Sequence, residues 1–312
     1  MTDYVTNQAG ELSTTTIWTP NGHPGINDQI TLNHKVTITN TVEYIRRLII
    51  NNGATGELEI NATSQDSGLE IQDATLALID VKQGSPNGKL DLNGDKANGY
   101  RAFIRANSAT PAHDTNTTLS GDIEMNYGEI SGFWFGQTIS GITYDWIKCD
   151  YMKLTMIDSF IKAYHPHPFY FNGAPDADNP PSMTRSEFIN MYPALYYNAS
   201  NYFAFNEFLR DMREFDEAIE VRHGVIGRTM GRKHQLGMMG EQMEFRASWD
   251  QVANRWRAAE LKELSKKNYK WWLFLPEEIY QAVHISDFEH YRPRGNPYHH
   301  DVYITMDQCD PD

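Results

Sequence analysis

Between Ile17 and Ile130 the chain alternates apolar and polar residues in short runs: I-T-L, V-T-I, L-I-I, L-E-I, L-E-I, L-A-L-I, L-D-L and I-E-M. A period of two puts successive side chains on opposite faces, so each run predicts a strand with one buried side. The breaks contain Asn21-Gly22, Asn52-Gly53, Asn87-Gly88, Asn93-Gly94 and Asn98-Gly99, pairs that tolerate the positive φ of tight turns. No helical pattern of three turns interrupts them. Many short strands at near-regular spacing fit a β-sandwich or a β-solenoid, and the recurrence of Asn, Gly and β-branched residues favours a solenoid-like coil over 17–132. Residues 1–16 are expected to be an N-terminal arm. The stretch V-T-I-T-N-T-V-E-Y-I-R-R-L-I-I-N-N-G-A-T-G-E-L-E-I (36–60) holds almost no reactive group, which points to a geometric role in which alternate residues fill a narrow core and turns reset the chain.

After Phe133 aromatic residues become dense, in F-W-F-G, Y-D-W-I-K-C-D-Y-M-K-L and F-Y-F-N-G, and 133–205 is read as a connecting or inserted region. Within it, Pro, Asp and Gly make 172–183 a loop. Thr184 with Glu187 three residues on matches a capping box and predicts a short helix over S-E-F-I-N-M-Y. A second helix is expected over 248–268, where Val252, Trp256, Leu261 and Leu264 recur at helical spacing and Lys266 and Lys267 suit a C-terminal end. Around it M-E-F-R-A-S-W, Y-K-W-W-L-F-L, Q-A-V-H-I-S-D-F and H-D-V-Y-I-T-M read as four strands. The expected class is therefore mainly β, with an α+β docking domain over 206–312 in which a helix packs on an antiparallel sheet.

The net charge of −14 is spread over both halves of the 312 residues and repels phosphate backbones, which argues against nucleic-acid binding. Cys149 and Cys309, the only two cysteines, have no paired or zinc-like spacing, so a reducing folding environment is expected. The N-terminus lacks a basic start followed by an apolar run, and no stretch approaches eighteen apolar residues, so neither a secretion signal nor a membrane partner is expected.

Candidate chemistry is sparse. D-L-N-G-D (91–95) spaces Asp91, Asn93 and Asp95 as a calcium loop does, but Lys96 stands where a Gly belongs and Ala102 where a bidentate Glu belongs; a turn capped by short polar side chains is the better reading. His165-Pro166-His167 and His299-His300-Asp301 lack the partners of a metal site. The Gly-rich basic stretch G-V-I-G-R-T-M-G-R-K-H-Q-L-G-M-M-G (224–240) does not match a phosphate loop and reads as a hairpin or arm, either a docking arm for an acidic neighbour or a plain surface loop. Asp66, Glu70, Asp73 and Asp80 could supply a glycosidase pair, but as outward positions of alternating strands they are more simply solvated. No cofactor is expected and no enzyme signature is present.

Two stretches carry resemblances. I-W-T-P-N-G-H-P-G-I-N-D-Q-I-T-L-N-H-K-V-T-I-T-N-T-V-E-Y-I-R-R-L-I-I-N-N-G-A-T resembles the opening of β-helical surface and virion proteins, and covers about forty residues. G-R-T-M-G-R-K-H-Q-L-G, M-E-F-R-A-S-W, W-W-L-F-L-P, A-V-H-I-S-D-F and H-D-V-Y-I-T-M-D together resemble structural proteins of tailed-phage tails and baseplates, and cover about ninety. These resemblances imply a virion subunit folded in the bacterial cytoplasm that works by assembly rather than catalysis. Its partners would be other virion proteins and itself, in a ring or trimer. Interface candidates are Trp134, Phe135, Arg228, Arg232, Lys233, Met238 and Met239. The rival readings are a receptor- or carbohydrate-binding fibre, or a glycan depolymerase component, which would add a host surface glycan as partner; a bacterial adhesin would need an export signal.

Overall fold

The computed structural model describes residues 2–52, 55–72, 78–82, 84, 86–106, 117–133, 137–139, 142–144, 147–149, 153–171, 181–192, 194–197, 206–208, 214–228, 234–249, 262, 266, 271–274, 279–291 and 301–308. The chain divides into two compact units, one centred on 1–194 and the other on 209–273 with 280–312.

In the first unit the chain coils through three parallel sheets, contributing one strand to each per turn. Turn one is Gln29–Leu32, Lys35–Thr39 and Val42–Ile45; turn two is Arg47–Ile50, Glu57–Ala62 and Ser67–Ile71. Turn three is Leu78–Val81, Lys89–Gly94 and Ala102–Ala106; turn four is Thr118–Leu119, Asp122–Asn126 and Gly128–Phe133. Each strand pairs in parallel with its counterparts in adjacent turns. The fold is a β-solenoid of about four turns, which decides between the two architectures the sequence left open. The second and third sheets continue through Leu154–Ile157 with Phe160–Phe171, then Ser182–Thr184 with Glu187–Tyr192.

Strict register explains why the period of two is so visible. In the second sheet Val36, Leu58, Leu90, Ile123 and Leu154 share one column, and Ile38, Ile60, Leu92, Met125 and Met156 the next. All ten are buried. Parallel columns from the first sheet (Ile30, Leu48, Ile79) and the third (Leu69, Ile104, Ile130, Ile161) close the core. Burying one such side chain contributes about 1.5–3 kcal/mol before chain entropy is counted. A one-residue slip would turn a whole column outward, so register is strongly specified.

The stack begins before Ile17. Asp3–Thr6 lies parallel to Gln29–Leu32, Gly10–Glu11 lies parallel to Lys35–Thr39, and Trp18–Thr19 runs back antiparallel to Asp3–Thr6. Leu12, Ile17 and Trp18 are buried in this segment. The Trp18 indole N–H donates to the Leu12 carbonyl (3.0 Å), and its ring meets Tyr4 edge-on at 6.2 Å. The Thr19–Pro20 peptide bond is cis.

In the second unit, Trp271–Phe274, Ile279–Tyr291, Asp301–Gln308, His234–Trp249 and Glu214–Arg228 are neighbours in that order. The described residues of the four runs expected as strands are strands, and Phe245, Trp271, Leu273, Val283, Val302, Ile304 and Met306 are buried among them. Two expected helices fare differently. Glu187–Tyr192 is a strand parallel to Phe160–Phe171, not a helix. Thr184 and Glu187 do not form a capping box: Arg185 takes a left-handed φ of 47°, and the Ser186 hydroxyl donates back to the Thr184 carbonyl, so the chain turns a corner of the coil. At 248–268, Ser248 and Trp249 end a long strand and Lys262 is helical; apart from these and Lys266, that range lies outside the described residues. The described part of the C-terminal half is strand almost throughout, so the α+β class expected there is not confirmed. Among the described residues no helix is long and apolar enough to cross a membrane.

Candidate functional site

Two outward features of the solenoid carry its chemistry. The first lies on the second sheet, where the residues between the buried columns face outward. Lys35, Glu57, Lys89 and Asp122 share one column; Thr37, Glu59, Asp91 and Glu124 share the next. Lysines therefore stand beside carboxylates one turn away. Lys35 reaches Glu57 (3.2 Å) and Glu59 (2.5 Å); Lys89 reaches Asp91 (3.3 Å), Glu124 (3.1 Å) and Glu57 (3.8 Å); Lys153 reaches Glu124 (2.7 Å). The Lys35 bond holds the Glu59 carboxyl below its ordinary range, and the Lys153 bond does the same for Glu124, each against the cost of burial. Asp91 goes the other way: burial raises it, and Lys89 offsets this only in part.

The second feature is the corner between the second and third sheets. In the turns where this corner is tight, it is made by one left-handed residue: Asn40 (φ 51°), Tyr127 (51°), Asp158 (49°) and Arg185 (47°). Small side chains stack beside it. Gly128 N–H donates to the Ser159 hydroxyl (2.8 Å), and Ser159 N–H donates to the Ser186 hydroxyl (3.0 Å). In turn three the corner is instead widened by residues 95–101, closed by the Asp95 N–H to Tyr100 carbonyl bond (2.7 Å) and its reverse (2.9 Å). Asp95 caps this loop by accepting from the Asn98 backbone (3.2 Å) and side chain (2.7 Å). Asp95 thus caps a turn with a short polar side chain, as expected, but the rest of D-L-N-G-D, residues 91–94, is strand and the turn follows it. Asp91, on the strand before it, is engaged by Lys89. Among the described residues no group of three or more His, Cys, Asp or Glu is placed to hold a metal ion.

The loop overhangs the tight corners that follow and leaves a groove of about 420 Å³, whose lining includes Arg101, Asp158, Ser159, Phe160, Arg185 and Glu187. Arg101 is fixed by three contacts: its guanidinium carbon lies 4.0 Å from the Tyr127 ring centroid and 5.1 Å from that of Phe160, and Nη1 donates to the Gly128 carbonyl (3.1 Å). Arg185 grips Asp158 with both ends of its fork, at 2.7 and 2.8 Å, while Lys96 of the loop donates to the same carboxylate at 2.5 Å. Arg185 first, and Lys96 second, hold Asp158 far below the usual carboxylate range.

Three of the four carboxylates singled out from sequence lie among the described residues. Asp66 accepts from the Arg101 backbone N–H (2.8 Å), Glu70 lies on the third sheet, and Asp80 accepts from Thr118 on the first (2.7 Å); Asp73 lies outside the described residues. Of the interface candidates, Trp134, Phe135, Arg232 and Lys233 also lie outside them. Arg228, Met238 and Met239 lie on a long antiparallel pair, Glu214–Arg228 with His234–Trp249, in which Arg228 faces His234 and His223 faces Met238 across the register. Sequence reading missed the groove. The only local signal is that Asp158-Ser159 precedes Phe160-Ile161 and that Arg185-Ser186, one residue further back, precedes Phe188-Ile189, which marks equivalent corners of a coil.

No protein-family model matches the chain. No curated protein matches it. Among solved structures, it is similar to a chain of the virion of a native gene transfer agent particle, at 10% identity and a TM-score of 0.24, over 38% of this chain and 92% of that one. A chain from the tail of an empty gene transfer agent particle with C6 symmetry matches at the same identity and TM-score, over 38% of this chain and 91% of that one. The fold and the site rest on the strand pairings and side-chain geometry above, not on these likenesses.

Proposed function

We propose that the chain is a structural subunit of a tailed-phage virion, in the tail or baseplate, that acts through assembly with itself and other virion proteins rather than by catalysis. The observation that carries this reading is the cross-turn ion lattice of the second sheet. Its carboxylates Glu57, Glu59 and Glu124 are each matched by a lysine of a neighbouring strand or turn. Such a surface ties each turn to the next. A self-reinforced coil is what a component under mechanical load requires, and two cysteines without paired spacing suit folding in the bacterial cytoplasm before the chain joins the particle. A receptor- or carbohydrate-binding fibre is the second reading, favoured by the corner groove.

Mass spectrometry of purified particles, with stoichiometry, tests the first reading; sedimentation of the isolated chain over a concentration series tests self-association. Peptides from this chain in stoichiometric amount, together with concentration-dependent oligomers, are expected. A chain absent from particles and monomeric at high concentration overturns the proposal.

A further inference from the structure

The sheet of the second unit ends in a long edge. Glu214–Arg228 runs antiparallel to His234–Trp249 and stands last in the strand order, so among the described residues no strand pairs with its other side. Its outward N–H and C=O groups form a template for another strand, and over its 15 residues neither Pro nor Lys blunts it. Half of this pair is also thinly backed. Asp301–Gln308 supports His234–Trp249 only from Glu244 to Trp249, so beyond Ile219 and Met243 the described pair is a ribbon of two strands. Such a ribbon is marginally stable in water, and a further strand alongside it supplies what is missing.

The charges along the edge select that strand. From 214 to 220 it carries Glu214, Asp216, Glu217 and Glu220 with no Lys or Arg; from 221 to 228 it carries Arg222 and Arg228 with no carboxylate. A parallel second copy in register would set acid against acid, whereas an antiparallel one sets the acidic half against the basic half. A two-fold axis normal to the sheet at Val221 places Glu220 of each copy opposite Arg222 of the other. By the register, Ile219 and Val221 lie on the same face as the buried Phe245 and Ala247, and this axis continues that face into the second copy. The strand itself has no inserted residue before Ile226, so 217–225 can pair without a bulge. Each ribbon then lies along the sheet-backed base of the other.

We propose that Glu214–Arg228 is a self-complementary edge at which two copies of this chain join antiparallel about Val221, merging their sheets into one. The proposal rests on the self-association reading and gives it a surface, a symmetry and a register. The docking arm expected from the basic stretch 224–240 thereby gains its acidic neighbour, the base of the same strand in a second copy.

Sedimentation equilibrium of the purified full chain is expected to show monomers and dimers. Arg222→Glu should weaken the dimer about tenfold or more, because Glu220 then faces a carboxylate, and adding Glu220→Arg should restore it to within about threefold of the wild type. Within one chain these two residues stand opposite Gln242 and Gly240, so the swap removes no directly opposite charge, and an unchanged melting temperature shows that the fold is kept. Val221→Cys is a second probe. The axis sets residue 221 against itself within disulfide reach, so mild oxidation should link the copies. Phe215→Cys, roughly 40 Å from its counterpart at the rise of an extended strand, should stay at the background set by Cys149 and Cys309. Dimers of wild-type strength in Arg222→Glu, no recovery in the double swap, or equal linking through 215 and 221 would each overturn this surface while self-association stands. A chain that stays monomeric leaves the edge to a strand of a different protein and also overturns the proposal; membership of the particle is read separately by mass spectrometry.

Discussion

Gly68 shows how a single residue can be demanded by a stack. It lies on the third sheet, in register with Phe103 one turn on. A Cβ there would stand 2.5 Å from the Phe103 ring and 2.5 Å from its carbonyl oxygen. Phe103 is 2% exposed, and the Arg105 guanidinium lies over its ring, 3.9 Å from the centroid. Gly68→Ala is therefore expected to lower stability by about 1–3 kcal/mol. Urea unfolding of the variant checks this, and an unchanged midpoint would mean that the ring and the strand can both yield. Ser159 shows the polar counterpart. Its hydroxyl accepts from the Gly128 N–H and donates to the Ile157 carbonyl (2.7 Å), so a left-handed corner is turned without leaving these buried groups unpaired.

At the scale of the strand, the lattice of the second sheet ties stability to pH in two opposite ways. Glu59 and Glu124 are held below the ordinary 4.5 in the folded chain, so the stability they contribute is fully present above that value and is lost as pH falls through their lower folded values. Asp91 is raised above 3.8, so ionising it disfavours the fold at neutral pH, and that penalty fades as pH falls from its raised value to 3.8. Asp91→Asn is accordingly expected to stabilise the chain at pH 7 by ~0.5 kcal/mol, Lys89 keeping Glu124 and Glu57 as partners. The gain should shrink in urea midpoints taken from pH 7 down to pH 4; a loss of stability at pH 7 would mean that the Lys89 pairing outweighs burial. These elements also separate what is legible in the sequence from what is not. The runs V-T-I, L-E-I and L-D-L announce strands because one face of each is buried and the other wet, and alternation survives any choice of partner. S-E-F-I-N-M-Y misleads because a Thr three residues before a Glu is a local signal, and the parallel pairing with Phe160–Phe171 overrides it. The groove is illegible for a different reason: Lys96 and Arg101 belong to one turn and Asp158 and Arg185 to two later ones, and only the coil's rise brings them together.

The first unit as a whole is close to one-dimensional, since each turn rests on its neighbours and the core is a set of columns instead of a centre. In such a stack, stability is a sum of each turn's own terms and the contacts with the turns on either side. Strands in the middle should open only with the unit, whereas the end of the second sheet should open alone. Glu57–Ala62 is paired on one side by Lys35–Thr39 and on the other by Lys89–Gly94, and Lys89–Gly94 by Glu57–Ala62 and Asp122–Asn126. Ser182–Thr184 ends that sheet, with Leu154–Ile157 as its neighbour. Native-state hydrogen exchange is expected to rank the amides in that order. Leu58, Ile60, Leu90 and Leu92 should exchange slowest and at a common free energy, that of global opening, while Met183 exchanges faster by about tenfold or more. If Met183 were protected as strongly as Ile60, the last rung would be sealed by further structure, and the stack would have to be treated as closed at both ends.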